Sequence, residues 1–225
     1  MTTSRRALLE GTAWAAPAVL ATAAIPAYAA STPITSVVAQ GSVDSFGFQS
    51  VDSTDLVNFT GQTTQSPMTD GSTGFRLYQT TGADTTAVLT ALTYYVLIPR
   101  NDAYTIDSVN INYGPVATVW DPMALSAQAT VALSNGNVLS SADYLIYAAT
   151  YKAGPTTITV GPETTSQAVS GTDISTNIAG KFTDGGNAMI PSEIAGLYTG
   201  YIATYSVNGV ASTTSSTVAP STKTS

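Results

Sequence analysis

A chain of 225 residues with seven Lys and Arg against fourteen Asp and Glu carries a net charge of −7. Beyond an Arg5-Arg6 pair its cations, Arg76, Arg100, Lys152, Lys181 and Lys223, stand singly along the sequence, which excludes a nucleic-acid partner, because neutralising phosphates takes a basic patch. The absence of His and Cys removes Ser-His-Asp and Cys-His nucleophiles, imidazole zinc sites, disulfides and thiol chemistry.

Residues 1–30 read as a cleaved signal segment. Arg5 and Arg6 form the charged start, and no charge follows from Gly11 as far as Val43. Ala27 and Ala29 flank Tyr28 as a cleavage site of small residues, so the mature chain is expected to begin at Ala30 or Ser31. A membrane span takes about 20 apolar residues. This stretch is instead Ala-rich, interrupted by Pro17 and Pro26, and poor in Leu, Ile, Val and Phe. Ser4-Arg5-Arg6-Ala7-Leu8-Leu9 resembles a twin-arginine (Tat) signal, an address read by the export machinery. Ala7 and Glu10 depart from that pattern and leave ordinary Sec export open. With residues 14–17 (WAAP) and 25–31 (IPAYAAS), the segment resembles leaders of secreted actinobacterial proteins, the high-GC Gram-positive bacteria. Removing Arg5, Arg6 and Glu10 leaves five cations and thirteen acids, a mature charge of −8.

The remaining chain is long enough for one large domain or two small ones. Short runs of Val, Ile, Thr, Tyr and Phe alternate with Gly, Asn, Asp and Pro, the pattern of an all-β sandwich. Residues 34–40 and 74–80 read as strands, with 61–74 a polar loop between them. Residues 87–99 (AVLTALTYYVLIP) are apolar on both faces if extended; Asp84 would cap them as a helix, but the Tyr-Tyr-Val-Leu-Ile run and the stop at Pro99 favour a strand. Residues 105–113 alternate, placing Val109, Ile111 and Tyr113 on one face and Asn110 and Asn112 on the other. Residues 129–139 read as a hairpin around Asn135-Gly136, and Asn208-Gly209 marks another turn. After Val210 the chain reads as partly an edge strand and then a flexible Ser/Thr-rich tail, set at 213–225.

Two internal similarities stand out. Tyr144, Tyr147 and Tyr151 match Tyr198, Tyr201 and Tyr205 in spacing, and Ser-Val-Asn recurs at 108–110 and 206–208, a spacing that fits two tandem modules split near residue 122. Residues 195–209, with a Gly-x-Tyr step before a hairpin, and 151–160 resemble strands of immunoglobulin-like bacterial surface modules. The resemblance implies an immunoglobulin-like β-sandwich over residues 31–212, as one large or two tandem modules. Some adhesins of that architecture carry a Lys-Asn isopeptide bond, for which Lys152 or Lys181 with Asn208, assisted by Glu163 or Glu193, are the residues to test. Lone lysines on strands more often extend to solvent.

Carboxylate chemistry survives these exclusions, because glycoside hydrolysis takes two Asp or Glu at a set separation. Asp102 with Asp107, and Asp121 beside Trp120, are the candidates, although Asp102 and Asp121 also fit turns. Asp184 and Asn187 around two glycines offer hard oxygen ligands for calcium, or a plain turn. Tyr144, Tyr147, Tyr151, Tyr198, Tyr201 and Tyr205 offer faces for sugar rings, yet on a strand Tyr147 and Tyr151 share a face while Tyr144 points away, which favours packing. No phosphate loop or cofactor motif is present. The expectation is a secreted or cell-surface protein without a cofactor that binds a surface, polysaccharide or protein ligand. The alternative is a secreted carbohydrate-active enzyme with paired carboxylates.

Overall fold

The structure, a computed structural model, describes residues 37–52, 55–81, 84–112, 119–183, 196–210 and 212–223. Arg5, Arg6, Ala27, Ala29, Tyr113, Asp184, Asn187 and Glu193 lie outside the described residues. In chain order the strands are β1 (Val37–Gly41), β2 (Asp44–Asp52), β3 (Asp55–Gln65), β4 (Phe75–Gln79), β5 (Thr85–Pro99), β6 (Tyr104–Asn112), β7 (Ala124–Leu125) and β8 (Thr130–Ala132). They continue as β9 (Val138–Ser140), β10 (Tyr144–Thr150), β11 (Thr156–Val160), β12 (Ser175–Phe182), β13 (Tyr198–Val207), β14 (Thr213–Ser216), β15 (Ala219–Pro220) and β16 (Thr222–Lys223).

Two larger sheets carry the fold. One has the order β16-β2-β3-β12-β6; the other runs β14-β13-β5-β10-β7, with β11 added to β5 and β15 to β13. β1-β4 and β8-β9 form separate pairs. Every ladder between these strands is antiparallel except that of β16 on β2. A single core cluster draws Phe46, Phe59, Val109 and Ile178 from the first sheet and Leu92, Tyr94, Val96 and Tyr201 from the second. The protein is therefore all-β and sandwich-like, held by apolar side chains each worth about 1.5–3 kcal/mol when fully buried.

β5 is the spine. β13 pairs along one edge from Leu97 to Ala87, while β10 and β11 lie end to end along the other, opposite 93–99 and 85–89. The double-faced apolar pattern of 87–99 has two causes. In the ladder with β13, Ala91 and Leu89 face consecutive residues, leaving Thr90 as a bulge that reverses which parity points inward. Leu92, Tyr94, Val96 and Ile98 are thus buried on one side of the bulge, and Leu89 and Ala87 on the other, with Thr90 and Ala91 exposed. Near Pro99 the outer face is covered as well: Tyr95 and Leu97 pack with Val131, Leu133, Ile146 and Val218 in a second cluster.

Both expected turns form. Gly136 (φ 84°) closes the β8-β9 hairpin, while Asn208 (φ 50°) and Gly209 (φ 72°) make the left-handed turn after β13, with Val210 N donating to Val207 O. Two expectations are corrected. Residues 61–65, read as loop, belong to β3, because the inward-facing Thr63 and Gln65 find buried hydrogen-bond partners. The end of the chain supplies an edge strand, β14 on β13, but the part read as flexible also holds β15 and β16, and Val218 is fully buried. Residues 34–225 form one compact unit, in which β5 pairs with β10, β11 and β13 and β3 with β12.

Candidate functional site

The sequence-derived carboxylates are each engaged locally. Asp102 is exposed in the turn after β5, and its carbonyl accepts a hydrogen bond from Thr183 Oγ1 at 2.6 Å. Asp107 is the bulged residue of β6 opposite Ala179 and Gly180, and its carboxylate lies 3.6 Å from Lys181 Nζ. Asp121 lies 3.8 Å from Lys152 Nζ. The lysines named for an isopeptide bond thus have their ammonium groups at exposed carboxylates, whereas Asn208 sits in its turn and accepts from Thr85 Oγ1. Among the described residues no three acids converge on a metal position.

The tyrosines serve different faces. Tyr144 and Tyr198 meet edge to face at 5.8 Å beside the outer cluster. Tyr147 and Tyr151 are half-buried against the main core; Tyr151 meets Trp120 edge-on at 5.1 Å and donates to Ser170 O at 2.8 Å. Tyr201 and Tyr205 are buried within it. The repeated spacing has a structural counterpart, because β10 and β13 flank β5 on either side and place matching tyrosines on matching faces.

Two buried charged groups escaped the sequence reading. Asp44, at the start of β2 opposite Gln65, is 1% exposed and accepts from the Tyr94 hydroxyl through Oδ2. Its Oδ1, like Thr176 Oγ1, is buried with no hydrogen-bond partner. Burial pushes the Asp44 carboxyl up to about 6, against the lowering influence of the Tyr94 hydroxyl. Burial, and then the Asp44 charge, hold the Tyr94 and Tyr201 hydroxyls well above their ordinary range. Tyr201 OH donates to Thr172 O and accepts from Gln65 Nε2 at 2.7 Å, so these polar groups too are buried and bonded to one another.

Arg76 is also fully buried, and its fork is filled. Nε and Nη2 donate to Gln40 Oε1 at 2.8 and 2.5 Å, and Nη2 donates to Thr69 Oγ1 at 2.8 Å. Nη1 donates to Glu163 O and Ser166 O at 2.7 and 3.3 Å and lies 3.0 Å from Asp70 Oδ1. Desolvation works against the Asp70 anion, but hydrogen bonds from Ser72 and the Arg76 charge hold its carboxyl below the ordinary value.

This hub fixes one wall of an open slot of about 480 Å³. The other wall is β11, and segment 165–170 runs back alongside it. At one end Ser166 Oγ donates to Gly161 O at 2.8 Å and accepts from Gly161 N at 3.0 Å. At the other, Tyr151 OH holds Ser170 O and Trp120 Nε1 donates to Gly171 O at 2.7 Å. Between these pins, Val169 N donates to Phe75 O at 2.7 Å, away from β11. The lining is Thr-rich, with Ile158 and Val169 as apolar members and Asp84 as its ionisable residue. A legible sign of it was present in the sequence: Gly154-Pro155 and Gly161-Pro162 bracket the five residues of β11.

No protein-family model matches the chain, and neither a curated protein nor a solved structure is found similar to it.

Proposed function

We propose that this is an exported, non-enzymatic protein of the cell surface or extracellular medium that acts by binding, with an immunoglobulin-like arrangement of its strands. The observation that carries the reading is the slot beside β11: it is open and held at both ends by buried or partly buried anchors, while the buried acid is sealed away. The signal-like residues Arg5, Arg6, Ala27 and Ala29 support export, with the actinobacterial resemblance pointing to a Gram-positive surface. Asp102, Asp107 and Asp121 lie at exposed turns and bulges rather than along the slot, which favours binding over glycoside hydrolysis.

Co-sedimentation of the purified protein with cell walls and with insoluble polysaccharides, while sugars released into the supernatant are assayed, tests this. Saturable binding without release is expected. Sugar release that disappears on Asp107→Asn or Asp121→Asn replaces binding with hydrolysis as the function.

A further inference from the structure

We infer that the slot receives an extended peptide segment of a protein partner, neutral or cationic in its side chains, which adds as a strand to the free edge of β11. The inference rests on the binding reading above and names its ligand class. β11 pairs with β5 through Thr156–Val160, and among the described residues no strand pairs with its other edge, although Gln79 at the end of β4 reaches its C-terminal end, where Nε2 donates to Val160 O and N to Gly161 O, so the edge left for a ligand is Thr156–Thr159. An extended edge presents unpaired N–H and C=O groups in alternation, the element that strand addition uses. Segment 165–170 does not close that edge, because its anchors tie it to Gly161, Phe75 and Tyr151, and no backbone hydrogen bond among the described residues joins 167–170 to 156–160. The slot is therefore held open by bonds made elsewhere.

Comparison with another edge strand sharpens this. Among the described residues β6 also pairs on one side only, but the Asp107 bulge and its ion pair with Lys181 interrupt it, as edges guarded against pairing are. β11 has neither bulge, charge nor proline within its five residues; Pro155 and Pro162 lie just beyond its ends and confine a ladder to its length. The lining selects the ligand. Among the described residues no aromatic ring lines the slot, so a sugar finds no stacking platform in them, whereas Ile158, Ala168 and Val169 among hydroxyls suit alternating apolar and small polar side chains. Asp84 is the charge on the lining and disfavours an acidic peptide.

The test is fluorescence polarisation of the full protein with labelled hexapeptides alternating Val with Thr, Lys or Glu. Saturable binding is expected, with the Lys peptide tightest and the Glu peptide weakest. N-methylating alternate amides in one of the two phases is expected to weaken binding about tenfold or more by removing ladder donors. Ala168→Trp, which fills the slot, is expected to abolish binding while circular dichroism and thermal midpoint stay unchanged; Gln167→Trp serves if that variant misfolds. The inference is overturned if no hexapeptide saturates, if both N-methyl phases bind like the parent, or if the slot-filled protein binds unchanged. It is also overturned if the protein alone self-associates and slot filling abolishes that, which makes a second copy the occupant. Cell-wall binding that survives slot filling leaves the binding reading standing and removes this site from it.

Discussion

Arg76 and Asp44 are both withdrawn from water, yet they are accommodated in opposite ways. Arg76 sits where two loops converge, and its donors meet Gln40, Thr69, Asp70 and the carbonyls of Glu163 and Ser166. Asp44 sits between the sheets with one oxygen bonded to Tyr94 and the other facing no partner. A charge whose hydrogen-bonding capacity is filled stays charged and organises its surroundings. A half-satisfied one lowers its cost by taking up a proton. The first kind builds the slot wall; the second leaves the interior sensitive to pH.

Removing the filled charge should have the largest effect. Arg76→Met is expected to cost about 3–5 kcal/mol in chemical denaturation, because Asp70 and the loop carbonyls lose their shared donor. Asp44→Asn should act with the opposite sign. The folded pKa of about 6 lies above the ordinary 3.8, so between those values native Asp44 holds a proton that the unfolded chain has released, and its own contribution to stability is most favourable below pH 3.8 and is lost as pH rises through 6. Asp44→Asn is therefore expected to stabilise by up to about 3 kcal/mol at pH 7 and to change little at pH 3.5, read from denaturant midpoints across that range.

Asp70→Asn should be smaller, a loss of about 1–3 kcal/mol at pH 7. Because the Asp70 carboxyl is lowered, its contribution is present above the ordinary carboxylate pKa and disappears as pH falls through the folded value, so the variant should flatten the acid limb that Asp44→Asn leaves intact. Lys181→Ala, which removes an exposed ion pair, should shift the midpoint by less than about 1 kcal/mol. A loss as large as that of Arg76→Met would show that burial is not what separates these charges.

The strand pattern was legible because packing writes itself into alternation: Val109 inside and Asn110 outside follow from period two. Residues 87–99 also declared both buried faces, although the Thr90 bulge behind half of that pattern left no sequence mark. The charges were opaque for another reason. Nothing about Arg76 in its own neighbourhood announces that Gln40 and Glu163, 36 and 87 residues away, will fill its fork. The tail misled because one valine, Val218, is all the apolar content its burial required, and a Thr-rich edge such as β11 resembles its background.

The placement of β5 also governs the order of events during synthesis. It leaves the ribosome well before β10 and β11, and more than a hundred residues of chain separate Tyr94 from its neighbour Tyr201 on β13. Closing loops of that length is entropically slow, so folding has a high contact order and cannot finish until the last strands are made. Until then β5 is an apolar ribbon with both edges unpaired, the form most prone to aggregate.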